Sequence, residues 1–247
     1  MKLYKADLHT HTVLSPCGDL EMSPRNIVAR ASARGMHILG ITDHNSTRQC
    51  QVVQEAAKPY NLMILAGAEV TSKEEAHCLA FFESAEQLAE FQLYLDEHLP
   101  NIPNDPDKFG YQVVVNLEDD ILYQEERLLI SAIDQNVDQI SAKVHELNGL
   151  FIPAHVNRAR NSLIGQLGFV PFDLAYDALE LSKHITYGQF IKNHAYLDGK
   201  AFIQSSDAHF IEDIGSAYTQ FYMEEPSFEE IRLALHGQEG RKVALAS

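Results

Sequence analysis

The chain is short of long apolar runs, of cysteine and of positive charge. No apolar run reaches the ~18 residues that a membrane-spanning helix requires, so no membrane partner is expected. The opening stretch MKLYKADLH brings in charge too early for the apolar segment of a secretion signal. The three cysteines, Cys17, Cys50 and Cys78, are odd in number and far apart. They exclude a disulfide framework and fit a reducing compartment, so a cytoplasmic location is expected. Lysine and arginine number 19 against 35 acidic residues, a net charge of −16 with histidine neutral. That balance disfavours generic binding to a nucleic-acid backbone, which depends on cations neutralising phosphates. Repeats, low-complexity tracts and linkers are also missing. With 247 residues, 45% of them hydrophobic, residues 1–247 are expected to form one domain with a substantial core.

What is present is an alternation of short apolar runs with helical segments. Residues 3–8 read as a strand. In SPRNIVARASARG, Ser23 suits an N-cap, Pro24 the first helical position and Gly35 the end. HILGIT (37–42) reads as the next strand and 48–57 as a helix, with Asn45 as a helix-initiating cap. LMILAGAEVT (62–71) and HCLAFF (77–82) read as strands, 84–98 as a helix. LPNIPNDPDKFG (99–110) must be loop, and YQVVVNLEDDILYQEE (111–126) a hairpin around Asp119-Asp120. The hairpin is a solvated element, or a lid over a site, since long insertions often select substrate. A long helix is expected over 127–148. LFIPAH, ALELS, AFIQSSDAH and AYTQFYM follow as strands. Strands separated by helices point to parallel βα units, and seven or so of them to an α/β barrel.

Histidine is the compositional anomaly, with 12 residues. Many stand at strand ends: His9 and His11, then Asp43 and His44, Glu69, His77, His155, and finally Asp207 with His209. In parallel α/β barrels the strand ends converge on one face, where catalytic residues gather. Imidazole is the commonest biological metal ligand, and His with Asp or Glu but no thiolate suits zinc, manganese or iron. Packing does not explain so many buried polar groups, each of which needs a partner. Asp7 and Asp43 read as carboxylates that orient neighbouring imidazoles. Cys17 reads as an incidental loop residue. His37, His98, His145, His194 and His236 belong to no motif and read as surface or packing residues.

The motifs DLHTHT, ITDHN, PAHV and SSDAH, spread over residues 7–209, resemble those of the PHP (polymerase and histidinol phosphatase) domain family. The resemblance implies a distorted (β/α)7 barrel, here with an insertion of hairpin plus loop around 99–126. It implies two or three divalent metal ions (Mn, Zn or Fe) and hydrolysis of phosphoesters. By the same resemblance His9, His11 and Asp207 hold the first metal. Glu69 bridges to a second metal held also by His77 and His155, and Asp19, His44 and His209 hold the third. SPCGD departs from the family pattern by extra residues before Asp19.

These nine ligands carry a charge of −3, three divalent ions +6, so the loaded site stands near +3 within an acidic protein. A metal lowers the pKa of bound water from 15.7 to about 7, and the expected nucleophile is a metal-bridging hydroxide, oriented by Asp207. Arg158 and Arg160, with Asn157, follow His155 and suit a phosphate-binding loop, Arg158 foremost. His184 is the candidate acid for the leaving group. The expected function is therefore a metal-dependent phosphoesterase acting on a small phosphorylated substrate, a phosphomonoester such as a nucleotide. Stable nucleic-acid binding is not expected. The alternatives are a non-catalytic metal-binding regulatory module and an amidohydrolase-like C–N hydrolase.

Overall fold

The computed structural model describes residues 1–245. β1 (Lys2–Asp7), α1 (Pro24–Ala33), β2 (Ile38–Ile41), α2 (Cys50–Ala57) and β3 (Met63–Thr71) open the fold, with the three strands parallel. β4 (His77–Phe82) turns straight back on β3 and runs antiparallel to it. α3 (Ala85–His98) leads into the insertion, which contains α4 (Pro106–Phe109), β5 (Val113–Val115) and β6 (Ile121–Gln124). α5 (Val137–Glu146) then feeds β7 (Leu150–Pro153), antiparallel to β4 and so aligned with β1 to β3. α6 (Leu163–Leu167), β8 (Leu179–Leu181), α7 (Tyr187–Asn193) and β9 (Phe202–Gln204) follow, with β8 and β9 parallel. β10 (Thr219–Met223), α8 (Phe228–Leu235) and β11 (Lys242–Leu245) end the described chain.

The long sheet has the order β11-β10-β1-β2-β3-β4-β7 and curls on itself. Its β7 edge meets β8 where Val156 N–H donates to the Glu180 carbonyl at 2.8 Å and Asp177 N–H to that of Phe151 at 2.9 Å. β9 returns to β1 where His11 N–H donates to the Ala208 carbonyl at 3.0 Å. Seven strands thus make the expected distorted barrel, with β4 as its reversed member. β10 and β11 flank it outside, so AYTQFYM is not a parallel βα strand but an antiparallel partner of β1.

Inside the barrel, alternation at period two sorts the side chains. Ala6, Leu8, Ile38, Leu65, Leu79, Phe81, Leu150, Ile152 and Ile203 form one apolar cluster, closed at one end by Phe228 and Ile231 of α8. Two and four residues further along the same faces stand the polar groups: Glu69 beyond Leu65, His77 before Leu79, Asp207 beyond Ile203. The apolar interior is therefore the floor of a polar mouth. Reversal of β4 explains why its first residue, and not its last, reaches that mouth.

The helix expected over 127–148 begins only at Val137. Asn136 stops it from starting earlier: its side chain accepts from Gln139 N–H, and the Gln139 side chain accepts from Asn136 N–H. Residues 127–136 are instead irregular and extend the insertion. Asn45 is likewise no helix cap. At φ 44° it donates through its amide to the carbonyls of Leu129 and Ser131, at 2.6 and 2.8 Å, and pins that segment down.

Strands come close together at Gly40 of β2, where a Cβ would overlap the Leu8 carbonyl. Gly40→Ala is therefore expected to destabilise by about 1–3 kcal/mol through overpacking. Urea unfolding checks this: the midpoint should fall with the slope unchanged.

Candidate metal centre

Glu69 lies at the centre of the mouth and is 1% exposed. Its carboxylate stands 2.9 Å from His77 Nδ1, 3.2 Å from Nε2 of His9 and of His155, 3.2 Å from His44 Nδ1 and 3.4 Å from His11 Nε2. Asp207 adds a second carboxylate, 3.3 Å from His9 Nε2 and 3.4 Å from His11 Nε2. His209 approaches from the same loop, its ring 4.2 Å from that of His11. Eight of the nine expected ligands are thus brought together. The ninth, Asp19, is held near by its N–H, which donates to the His209 carbonyl at 2.9 Å, but its carboxylate accepts from Glu21 N–H at 2.8 Å in a local turn.

Three groupings place one ligand atom each within 4.8 Å of one another: His9, His11 and Glu69; His44, Glu69 and His77; His11, His44 and His209. The donor set fits divalent ions on independent grounds. His9 Nε2, His11 Nε2 and His44 Nδ1 are enclosed, yet none makes a hydrogen bond among the described residues. A buried ring nitrogen left in that state is costly unless its lone pair has another partner. In His9 and His11 the opposite nitrogen is committed. His9 Nδ1 donates to Glu180 at 3.0 Å. His11 Nδ1 donates to Ser15 Oγ at 2.9 Å, while that hydroxyl donates to Asp43 at 2.7 Å. His209 Nδ1 donates to the Asp207 carbonyl at 3.0 Å. Each commitment fixes the tautomer that leaves Nε2 as the free donor atom.

Neither Asp7 nor Asp43 touches an imidazole, contrary to the sequence expectation. Asp7 accepts from Ser206 N–H at 2.9 Å, Ser206 Oγ at 2.6 Å and Gly215 N–H at 2.8 Å, and so fastens the loop that carries Asp207 and His209. Burial pushes its carboxyl up to about 6. Asp43 reaches His11 only through Ser15. The carboxylate that does touch an imidazole is Glu180, which sequence reading passed over. Its one signal was an acid inside the apolar run ALEL, on a strand buried from both sides.

A cleft of about 560 Å³ opens over the ligands. Arg158, Asn161, Glu75 and Cys17 stand in its walls, and Leu128, Ile130 and Ala132 of the insertion form its apolar side. Of the hairpin, β5 is buried and β6 exposed, with Ile121 and Leu122 outside, and neither lines the cleft, so the wall comes from the segment after it. Arg158 Nη2 is paired with Asp207 Oδ2 at 2.6 Å. Arg160 is exposed and lies outside the cleft lining, as does His184. The Asn157 amide is spent on Ser182, donating to its hydroxyl at 2.9 Å and accepting its N–H at 2.8 Å. Among the other histidines, His145 and His236 share Asp177, at 3.1 and 2.9 Å, and His98 pairs with Asp134, all away from the cleft.

The charge balance within the cluster is uneven. Burial works against the charged form of His9, but Glu180, Glu69 and Asp207 outweigh it and hold the imidazole well above its ordinary range. Burial and the neighbouring His209 push His11 down to about 4, and burial lowers His44 strongly. Burial also opposes the charge on Asp207, yet the adjacent His9 and His11 keep it well below the usual carboxylate range. The metal-free protein at pH 7 therefore carries a second ring proton on His9, at Nε2, and only the Nδ1 proton on His11. A metal binding at His9 Nε2 must displace that proton, so affinity should rise with pH and ~1 proton should be released per first equivalent. Titration calorimetry in buffers of different ionisation enthalpy checks this. Without metal, the His9 contribution to stability is full below its unfolded pKa and lost as pH rises through its raised folded value. His11 acts oppositely, weakening the fold as pH falls from 6.5 towards about 4.

Comparison with known proteins gives the family and the fold. The model of the PHP domain matches residues 7–166, and that of the PHP-associated region residues 197–239. The uncharacterised protein YqxK of Bacillus subtilis is 26% identical over 275 residues, covering 98% of this chain and 64% of that one. Among solved structures, the lesion-specific endonuclease EndoQ of Pyrococcus furiosus superposes with a TM-score of 0.73 at 21% identity, covering 98% of this chain and 58% of that one. A Bifidobacterium adolescentis protein solved as a candidate metal-dependent phosphoesterase gives 0.60 at 19% identity, covering 94% and 96%. The chain thus spans about three fifths of the length of YqxK and of EndoQ.

Proposed function

The chain belongs to the PHP domain family, and from that premise we propose that it is a metal-dependent phosphoesterase whose substrate is a small phosphomonoester, a nucleotide being one such compound. The observation that carries the reading is the meeting of Arg158 with Asp207 at 2.6 Å, in the cleft where the three ligand groupings converge. One spot thus combines sites for cations with a guanidinium suited to a phosphate oxygen.

In this reading His9, His11 and Asp207 hold a first ion. Glu69 is shared with a second, held also by His77 and His155. His44 and His209 serve a third, which Asp19 completes only by leaving its local turn. When bound, the ions supply Lewis acidity, lowering the pKa of water and offsetting charge on the phosphoryl oxygens. The protein's own part is to position. Arg158 exchanges its carboxylate partner for phosphate. Asp207, 10% exposed, gives up that ion pair and can orient a water by accepting its hydrogen bond at Oδ2. The segment 128–132 shields one side of the cleft from solvent. His184 lines no part of the cleft, so a leaving alkoxide takes its proton from water.

The cleft volume lies within the roughly 300–1,000 Å³ typical of small-molecule sites. Arg158 is its one lysine or arginine among the described residues, and Glu75 stands at the rim. A groove that tracks several backbone phosphates would need more cations. A second reading, cleavage of a phosphodiester in nucleic acid, is favoured by the likeness to EndoQ over 98% of this chain. That enzyme's complex holds a 27-mer duplex with an abasic lesion at the active site.

Manganese-reconstituted protein is expected to release phosphate from members of a panel of phosphomonoesters and nucleotides, and Asp207→Asn to reduce release to background. Arg158→Ala should lower kcat/KM by roughly 10- to 100-fold, the 1.5–3 kcal/mol of a charged hydrogen bond. Cutting of abasic duplex with no monoester turnover would move the assignment to the second reading. No turnover of either class, with two equivalents of metal bound, would sink both and leave the C–N hydrolase or a non-catalytic role.

A further inference from the structure

We propose that Glu180 is a positioning residue that holds His9 and His155 together and thereby couples the loading of the first and second metal positions. The inference rests on the two-metal reading above. Glu180 is 1% exposed. Its Oε2 accepts from His9 Nδ1 at 3.0 Å and from the His155 backbone N–H at 2.9 Å. On the other side of the same two residues, Glu69 Oε1 stands 3.2 Å from His9 Nε2 and 3.2 Å from His155 Nε2. The two rings are stacked between the carboxylates, 5.7 Å apart and 18° from parallel. Glu180, His9, Glu69 and His155 thus close a ring of contacts that runs through both ring nitrogens of His9 and through the backbone N–H and Nε2 of His155.

The backbone at His155 adds to the case. Its φ is 27°, in the left-handed region that a non-glycine residue adopts only when its surroundings impose it. Two bonds from Glu180 impose it here: the side-chain contact to His155 N–H, and the Glu180 carbonyl accepting from Val156 N–H at 2.8 Å. One residue of β8 therefore sets both the tautomer of a ligand at the first position and the strained turn that delivers a ligand to the second. An ion that immobilises His9 firms up Glu180, and Glu180 then presents His155 already placed. Coupling of this kind is reciprocal.

Glu180→Gln is the discriminating change. A carboxamide oxygen in the Oε2 place keeps both acceptor bonds, but its NH2 then stands in the Oε1 place, 3.3 Å from His9 Nδ1, donor against donor. Relieving that clash moves the His9 proton to Nε2, the nitrogen that the first ion needs. Affinity for the first equivalent should fall roughly 10- to 100-fold. Manganese loading followed by electron paramagnetic resonance reads the coupling directly. Wild-type protein given one equivalent should already show the spin-coupled signal of paired ions. E180Q should show mainly isolated ions until the second equivalent is in excess, and its metal-free melting temperature should not account for the change.

E180Q with wild-type affinity and the wild-type coupled signal would overturn the inference alone. Wild-type protein that never shows a coupled signal would overturn the two-metal reading and the coupling with it. If E180Q does not fold, nitrogen–proton correlation spectra of zinc-loaded wild-type protein still decide. A proton on His9 Nδ1 is the expected result, and a His9 bound to metal through Nδ1 refutes it.

Discussion

Everything at the mouth of this barrel depends on one buried carboxylate surrounded by imidazoles. Glu69 has five of them within 3.4 Å and, among the described residues, no lysine or arginine as partner. Such a cluster cannot form on a flexible loop, because each polar group leaves water and must find its compensation at a fixed place. The barrel provides those places. Neighbouring strands have fixed register, so Glu69 on β3 and His77 on β4 arrive on the same face. The apolar interior beneath them leaves the ligands nowhere to collapse into.

A second set of buried acids makes the arrangement rigid, and each acts differently. Glu180 grips an imidazole directly. Asp43 works through the Ser15 hydroxyl. Asp7 grips only backbone and a serine, but that backbone belongs to the loop carrying Asp207, whose own φ of 52° needs support. The strained turns at His155 and Asp207 are thus both anchored by carboxylates from neighbouring strands. Strain gathers where the ligands are, and the cost is met by hydrogen bonds within the barrel wall.

The clustering of these side chains was legible in the sequence because they interrupt apolar strands at their ends, and histidine or an acid in such a place has few structural uses. The seven-strand barrel was legible from the alternation of strands and helices. The reversal of β4 was not, since HCLAFF reads alike in either direction. Glu180 was hidden for a similar reason: inside ALEL an acid looks like the outward residue of an ordinary half-exposed strand, and only the closed ring shows that both faces are covered. The start of α5 was misread because LLISAIDQN carries apolar spacing that a helix could use, and the cap at Asn136 overrules it. Arg158 was read as a phosphate ligand from its place after His155. Its ion pair with Asp207 could not be read, because it depends on two loops meeting across the mouth.

That ion pair also shows how an acidic chain can receive an anion. The cleft wall holds Glu69, Asp207 and Glu75 against a single guanidinium. With Arg158 engaged by Asp207, the mouth offers a phosphate little but carboxylates. Ions at the imidazoles change the balance twice: they add charge where Glu69 and Asp207 stand, and they compete with Arg158 for Asp207. A guanidinium released from that carboxylate remains in the cleft, 39% exposed and ready for another oxygen pair. In the proposed phosphoesterase, anion binding would thus be tied to metal loading by electrostatics, with no change in the backbone required.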